Sequence, residues 1–256
     1  MSSTNATVYL ISGANRGLGL ALAATLAARP NTIVFAGARD PAATKALNEL
    51  AAKHPNVQPV KLTAGDKADN EAAVAQIKKT AGRLDVLIPN AGIMKHHGPL
   101  GITPLSEMRE HWEVNTLGFV VLYQAAHELL LASPTGKPTI AYISSVMGSI
   151  GSYFHTTAAP YGSSKAAANF LVKVLDAEQP ALIAMAIHPG WVQTDMGNGG
   201  AELMGKKEAP VTVDKAIEGI LVRIDGATKE KSSGRFFNLV SHDGNPWDIA
   251  TEEILW

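Results

Sequence analysis

Short runs of β-branched and apolar residues alternate with longer alanine-rich stretches along almost the whole chain. This alternation limits the fold more than any other feature. The short runs read as strands, and the stretches between them are long enough for helices of several turns. Strands that return through helices all run the same way, which predicts a parallel sheet covered on both faces. Strand candidates are residues 7–12, 32–38, 57–62, 84–89, 139–144, 182–188 and 235–239. Helical stretches are expected at 18–28, 42–53, 70–81, 104–131, 160–178 and 213–227. The expected fold is α/β. It is one doubly wound domain over residues 1–256, with a seven-stranded, mainly parallel sheet in the order 3-2-1-4-5-6-7 and helices on both faces. Residues 194–210 are glycine-rich and polar, and are expected as a mobile loop that closes over a substrate.

Composition removes several classes of function. Of 256 residues, 46% are hydrophobic and 18% charged, which is enough for a sizeable core. A net charge of −1 gives no basic footprint for nucleic acid or for an anionic membrane. No uninterrupted apolar run approaches the ~18 to 20 residues of a membrane span, and the first residues have neither a basic start nor an apolar signal core. The chain has no cysteine, so disulfides and thiolate catalysis are out. A cytoplasmic protein is expected, with no membrane or nucleic-acid partner.

The first strand runs into Ser12-Gly13-Ala14-Asn15-Arg16-Gly17-Leu18-Gly19, and a helix follows. A glycine turn at a helix N-terminus suits a pyrophosphate, because the backbone can approach closely and first-turn N–H groups donate to the anion. Ser12, Gly13, Asn15, Arg16, Gly17, Leu18 and Gly19 are therefore expected at a dinucleotide. The ribose is read about 20 residues further on, where Arg39 stands. A guanidinium suits the 2′-phosphate of NADP (NADPH), so NADP is expected in preference to NAD. Arg16 could assist, while Asp40 keeps NAD open.

Tyr161 and Lys165 stand four residues apart in Tyr161-Gly162-Ser163-Ser164-Lys165, on one face of a predicted helix. A phenol titrates near pH ~10, and a neighbouring ammonium can tune it for proton transfer to a carbonyl oxygen. Alone, this spacing is common on helices.

Together these residues resemble the short-chain dehydrogenase/reductase family over essentially the full length. The resemblance extends to the branch that holds C-factor-like, Sniffer-like and norsolorinic-acid-ketoreductase-like members. Gly13, Gly17 and Gly19 match the cofactor turn, and Asn90-Ala91-Gly92 the motif after the fourth strand. Asn115, Ser145, Tyr161 and Lys165 match the catalytic tetrad. Pro189-Gly190-Trp191-Val192-Gln193-Thr194 matches the segment that contacts the nicotinamide. Gly199-Gly200 before Ala209-Pro210, and the tail Gly244-Asn245-Pro246-Trp247, resemble that branch. The resemblance implies a Rossmann domain with an integral catalytic site, and cofactor contacts from Asn90, Ala91, Gly92, Tyr161, Lys165, Pro189, Gly190, Val192 and Thr194. It implies hydride transfer between nicotinamide C4 and a carbonyl carbon. Tyr161 would be the general acid or base, Ser145 would hold the carbonyl oxygen, and Lys165 would lower the tyrosine pKa and hold the ribose. Asn115 would hold a water that joins the lysine to solvent. It also implies a homo-oligomer, a homodimer or homotetramer, through the helices that carry Asn115 and Tyr161, with Ala166-Ala167-Ala168 permitting close approach. Two positions depart from the family. Thr63 stands where an aspartate commonly meets the adenine, with Asp66 three residues later. The serine-to-tyrosine gap is longer than in many members, so residues 146–160 must loop out.

An apolar or aromatic ketone, or its alcohol, is the expected substrate. Met94, Met147, Tyr153, Phe154, Trp191, Met196 and Met204 are the pocket candidates. His96-His97 reads as surface or pocket rim, His188 reads as structural, and no metal site is expected. Competing readings are a nucleotide-binding regulator or scaffold without chemistry, an NAD-dependent alcohol dehydrogenase, and a sugar-nucleotide epimerase or dehydratase. The last of these would need a larger C-terminal domain.

Overall fold

The computed structural model describes residues 6–239 and 253–256. Seven strands form one sheet: β1 (Thr7–Ile11), β2 (Thr32–Ala38), β3 (Val57–Lys61), β4 (Val86–Ile88), β5 (Thr139–Ile143), β6 (Ile183–His188) and β7 (Phe236–Asn238). Their order is β3-β2-β1-β4-β5-β6-β7, and every pair is parallel. This is the expected order. The helices are α1 (Gly17–Ala27), α2 (Lys45–Lys53), α3 (Lys67–Ala81), α4 (Leu105–Trp112), α5 (Gly118–Leu131), α6 (Ala159–Glu178), α7 (Asp195–Leu203), α8 (Val213–Asp225) and the short α9 (Lys229–Ser232).

Alternation within the strands explains the two layers. Val8 and Leu10 of β1, Phe35 of β2, Leu87 of β4 and Ile140 and Tyr142 of β5 face α3, α5 and α6. Tyr9, Ile11, Val34, Ile88, Ala141 and Ile143 face α1, α2 and α8. Each fully buried large side chain contributes roughly 1.5–3 kcal/mol relative to exposure, so both faces drive folding. Asp85 ties the bottom edge of the sheet. Its buried carboxylate accepts from the Val8 N–H (2.8 Å), Ser133 Oγ (2.6 Å) and Arg83 Nε (3.2 Å).

One local expectation is refined and two are corrected. The helix expected over 104–131 is present as one run, Leu105–Leu131, and it widens at a π-helical turn, Glu113–Leu117, which holds Asn115 between α4 and α5. The widened turn reaches the site because its polar residues bond across to neighbouring elements rather than along the helix. The run Leu105–Leu131 is long enough for a membrane span, and one 18-residue window within it reaches a mean hydropathy of 1.2. Here Phe119, Leu122, Ala126, Leu129 and Leu130 pack it onto the sheet, as in a core helix. The loop expected over 194–210 contains α7, whose N-terminus is capped by Thr194 Oγ1 accepting from the Gly197 N–H. Asp66 likewise caps α3, accepting from the Asp69 N–H at 3.0 Å. Ala168, offered above for close approach between copies, is buried in the core instead. The tail Gly244-Asn245-Pro246-Trp247 lies outside the described residues.

Candidate active site

The strand order reverses between β1 and β4, so a crevice opens at their carboxyl ends, where open α/β sheets take ligands. Gly13 has φ +66, and a Cβ there would lie 2.9 Å from Ala91 Cα. A Cβ at Gly19 would run into the Gly13 carbonyl and, at 2.6 Å, Asn90 Nδ2. Glycine is therefore required at both positions. Asn90 Nδ2 donates to the carbonyls of Ser12 (3.0 Å) and Gly13 (3.2 Å), while Ser12 Oγ accepts from the N–H groups of Asn90 and Ala91. The Ser12 hydroxyl is thus committed to joining the two motifs. No side chain caps α1, so its first-turn N–H groups keep their capacity for an anion. The glycine turn, the open helix terminus and the bracing by Asn90 fit a dinucleotide pyrophosphate.

Arg39 lies exposed at the end of β2 with no hydrogen bond or ion pair among the described residues. The Asp40 carboxylate is occupied, accepting from the Ala43 N–H at 3.0 Å. Arg16 does not stand free for a phosphate: it pairs with Asp195 at 2.9 Å across the mouth of the crevice. Both partners are exposed, so the pair is worth ~0–1 kcal/mol. Thr63 is also committed, its carbonyl accepting from Asn70 Nδ2 and its side chain bonding Asp69.

Asn115, Ser145, Tyr161 and Lys165 come together beside this cradle, and all four are buried. Tyr161 and Lys165 share one face of α6, as their spacing requires. Lys165 Nζ donates to the Ile143 carbonyl at 2.8 Å and lies 5.8 Å from the Tyr161 ring centroid. A Cβ on Gly92 would sit 3.5 Å from this Nζ, which places the Asn90-Ala91-Gly92 backbone beside the lysine. Ser145, rather than Ser144, reaches the tyrosine. Its hydrogen bond draws the Tyr161 pKa down, against the stronger effect of burial. Ser144 Oγ donates to Asn169 Oδ1 at 2.6 Å and is structural.

The titration behaviour departs from the simple picture of a lysine lowering a tyrosine. Burial pushes Tyr161 up to about 12, and burial lowers Lys165 to about 7. In the protein alone the phenol keeps its proton at neutrality, as a proton donor must. The ammonium is the group that titrates. The Asn115 side chain is fixed by three hydrogen bonds. Its Oδ1 accepts from the Ile93 N–H (2.8 Å), and its Nδ2 donates to the Ile93 carbonyl (3.0 Å) and to Ser164 Oγ (2.9 Å). Both amide donors are therefore spent on holding residue 93 and α6 in place.

The substrate side is less uniform than expected. A Cβ on Gly200 would lie 3.7 Å from Met94 Cε and 3.8 Å from Trp191 Nε1, so these two candidates meet under α7. Trp191 Nε1 donates to the Gly197 carbonyl at 2.8 Å, which fixes the indole against that helix. Met147 is half-buried in the turn after Ser145. Phe154 packs on the core, and Tyr153 points to solvent at 68% exposure. Met196 and Met204 are exposed. Val192 bridges to Val211, and Gly190 has φ +80, so the segment after Pro189 is held as a turn beside the crevice. His188 is buried with no partner for Nδ1 among the described residues, and burial lowers its pKa to about 4.

Several residues that build the site carried no signal of their own. Ile143 offers only a backbone carbonyl. Ser164 bonds Asn115 from inside the tyrosine–lysine motif, where a second serine looks incidental. Tyr142 lies three residues before Ser145 and reads as an ordinary strand residue; its hydroxyl donates to the Asn115 carbonyl at 3.0 Å. The segment 253–256 also reaches the site. Ser149 Oγ donates to the Leu255 carbonyl, and the Gly151 N–H to the Trp256 carbonyl at 2.7 Å.

A parallel sheet of this order, a glycine cradle at its switch point and a buried tyrosine–lysine pair define a doubly wound nucleotide-binding oxidoreductase architecture. Residues 7–202 match the short chain dehydrogenase family, and the chain belongs to that family. It is 39% identical over 250 residues to a norsolorinic acid ketoreductase of Dothistroma septosporum, covering 94% of this chain and 92% of the relative. The NADPH-bound carbonyl reductase from chicken fatty liver superposes with a TM-score of 0.84 at 33% identity, covering 98% of this chain and all of the other. The carbonyl reductase Sniffer of D. melanogaster superposes equally well, at 27% identity and the same coverage. The protein is therefore an oxidoreductase of the short-chain type.

Proposed function

We propose that this protein is an NADPH-dependent reductase of an apolar or aromatic ketone, with Tyr161 as proton donor. One observation carries the reading. A protonated tyrosine, bonded to Ser145 and backed by a buried lysine, lies beside a glycine cradle that fits a dinucleotide. When bound, NADPH supplies the hydride. The chain's own residues do the rest. Ser145 and Tyr161 hold the carbonyl oxygen, and their hydrogen bonds strengthen as negative charge grows there. Tyr161 passes its proton to that oxygen, and Lys165, as ammonium, stabilises the phenolate that remains. Asn115 fixes residue 93 and α6 relative to each other, so the cradle and the proton donor keep their distance. Met94 and Trp191 offer an apolar wall, and α7 shields the space they enclose. The substrate named for the relatives, a ketone, accords with this wall.

The free guanidinium of Arg39, with Asp40 turned into its own loop, supports NADPH over NADH. The same reading carries a cytoplasmic homodimer or homotetramer. Phe170 of α6 is 69% exposed on a helix that a second copy would cover. Light scattering giving a mass near the 26.9 kDa of one chain would remove that part. The decisive experiment follows NADPH oxidation with a panel of aromatic and aliphatic ketones for the native protein and Tyr161→Phe. Turnover should fall by ~10²-fold or more, as for loss of a general acid, while NADPH affinity stays within about twofold. Near-native turnover in Tyr161→Phe would mean that the proton comes from elsewhere.

A further inference from the structure

Tyr142 heads the fully buried side chains by volume, at 1% exposure, and hydrophobic packing alone does not call for its hydroxyl. The hydroxyl donates to the main-chain carbonyl of Asn115 in the π-helical turn. The Phe119 ring packs on the phenol at 4.9 Å with a 30° tilt, so the ring has little freedom. Over its face stands Lys165 Nζ, 4.7 Å from the centroid and closer than it is to the Tyr161 ring.

Lys165 needs such a neighbour. It is 3% exposed, donates to one carbonyl, that of Ile143, and has no carboxylate partner among the described residues. The titratable groups that face it are Tyr161 from its own helix and Tyr142 from β5. Gly92 and Gly148 pack against it with backbone alone. An ammonium taken out of water and left uncompensated loses its proton. The electron-rich face of a desolvated aromatic ring opposes that loss.

We propose that Tyr142 is a positioning residue for the reaction: its ring face holds Lys165 in the charged form, and its hydroxyl locks the ring to the turn that carries Asn115. The effect on turnover rests on the catalytic reading of Lys165 given above; the effect on the lysine's own titration does not.

The test separates the two. Lysine labelled with 13C is followed by NMR in the protein without cofactor, and the Lys165 side-chain resonance is titrated. Tyr142→Phe keeps the ring and should leave the midpoint within ~0.3 pH units of native, whereas Tyr142→Leu removes the ring and should lower it by about half a unit or more. Phenylalanines of increasing fluorination at position 142 keep the shape while draining the ring face. They should lower the midpoint stepwise, which keeps the test open if Tyr142→Leu does not fold. The sign is fixed: removing a stabiliser of the charged form lowers the pKa, so the alkaline limb of ketone reduction moves to lower pH by the same amount. Midpoints in the leucine and fluorinated variants that match the phenylalanine variant would overturn the proposal. A midpoint that moves while the alkaline limb stays would uphold the ring's hold on the lysine and overturn the lysine's catalytic role.

Discussion

Asn90 and Trp256 brace opposite sides of the crevice, and they do it by different means. Asn90 belongs to a motif at the end of β4 and bonds the backbone of β1, its neighbour in the sheet. Ser12 works in the same way, its hydroxyl accepting from the N–H groups of Asn90 and Ala91. The substrate side has no such motif. Residues 146–158 leave the sheet, and they are held by a segment a hundred positions away. The Trp256 ring packs 5.6 Å from Phe236, Lys173 Nζ sits 5.0 Å over the indole, and the Gly151 N–H bonds the Trp256 carbonyl. A frame built on adjacent strands tolerates little variation. A loop clasped from outside the strand order can be reshaped without disturbing the cradle.

The largest effect that would sharpen this contrast is expected at Gly19. Gly19→Val drives a side chain into the Gly13 carbonyl and Asn90. NADPH affinity should weaken by ~10³-fold, about 4 kcal/mol, because the cradle must open. Titration calorimetry giving an affinity within tenfold of native would show that the turn yields more easily than its packing implies.

Next comes His188, at the root of the substrate-side turn. Its folded pKa of about 4 lies below the ordinary value of 6.5. The unfolded chain therefore takes up the proton first, and stability that is full above pH ~6.5 drains as pH falls through ~4. The gap corresponds to roughly 3 kcal/mol at its limit. In urea titrations at pH 7 and pH 4, His188→Asn should lose less stability across the interval than the native protein. Identical losses would mean that His188 is not buried as a neutral ring.

On the cofactor side, Arg39→Asp should move the ratio of kcat/KM for NADPH over NADH by tenfold or more toward NADH, ~1.4 kcal/mol, the worth of one charge-assisted contact. An unchanged ratio would show that Arg39 does not read the ribose. The smallest effect is reserved for the clasp. Trp256→Ala should raise KM for a bulky ketone about threefold to tenfold while leaving NADPH affinity within twofold, since only the loop loosens. Equal changes in both constants would erase the distinction between the two sides.

The same division explains what could be read from the chain. Strand order, the glycine turn and the tyrosine–lysine pair are written in periodicity and spacing, because each depends on neighbours in sequence or on adjacent strands. The π turn was not legible. Asn115 is a poor interior helix residue and could kink its helix, but the kind of turn it makes depends on what Asn115 and Tyr142 bond across space. Nor was the helix within 194–210 legible, since its glycines argue against it and the Thr194 cap and the buried Gly197 and Ala201 decide otherwise. The packing of Phe154 on the core is likewise not written locally, because an aromatic residue beside a motif looks the same whether it faces a ligand or the core. The double use of Arg16, plausible for phosphate and observed with Asp195, is a matter of distance that spacing does not encode.

The clasp has a further consequence, in the order of events during synthesis. The cradle, β1 to β4 and the proton donor on α6 have all left the ribosome before residues 253–256 are made, and the bond between Ser149 and Leu255 spans 106 positions. Domains gain structure as they emerge, and contacts of long sequence separation form late. A chain lacking residues 253–256 would therefore keep the bonds of its glycine cradle while the loop at residues 146–158 stayed unfastened. The loop at residues 146–158 would be fastened only once residues 253–256 had emerged, after the cradle had formed.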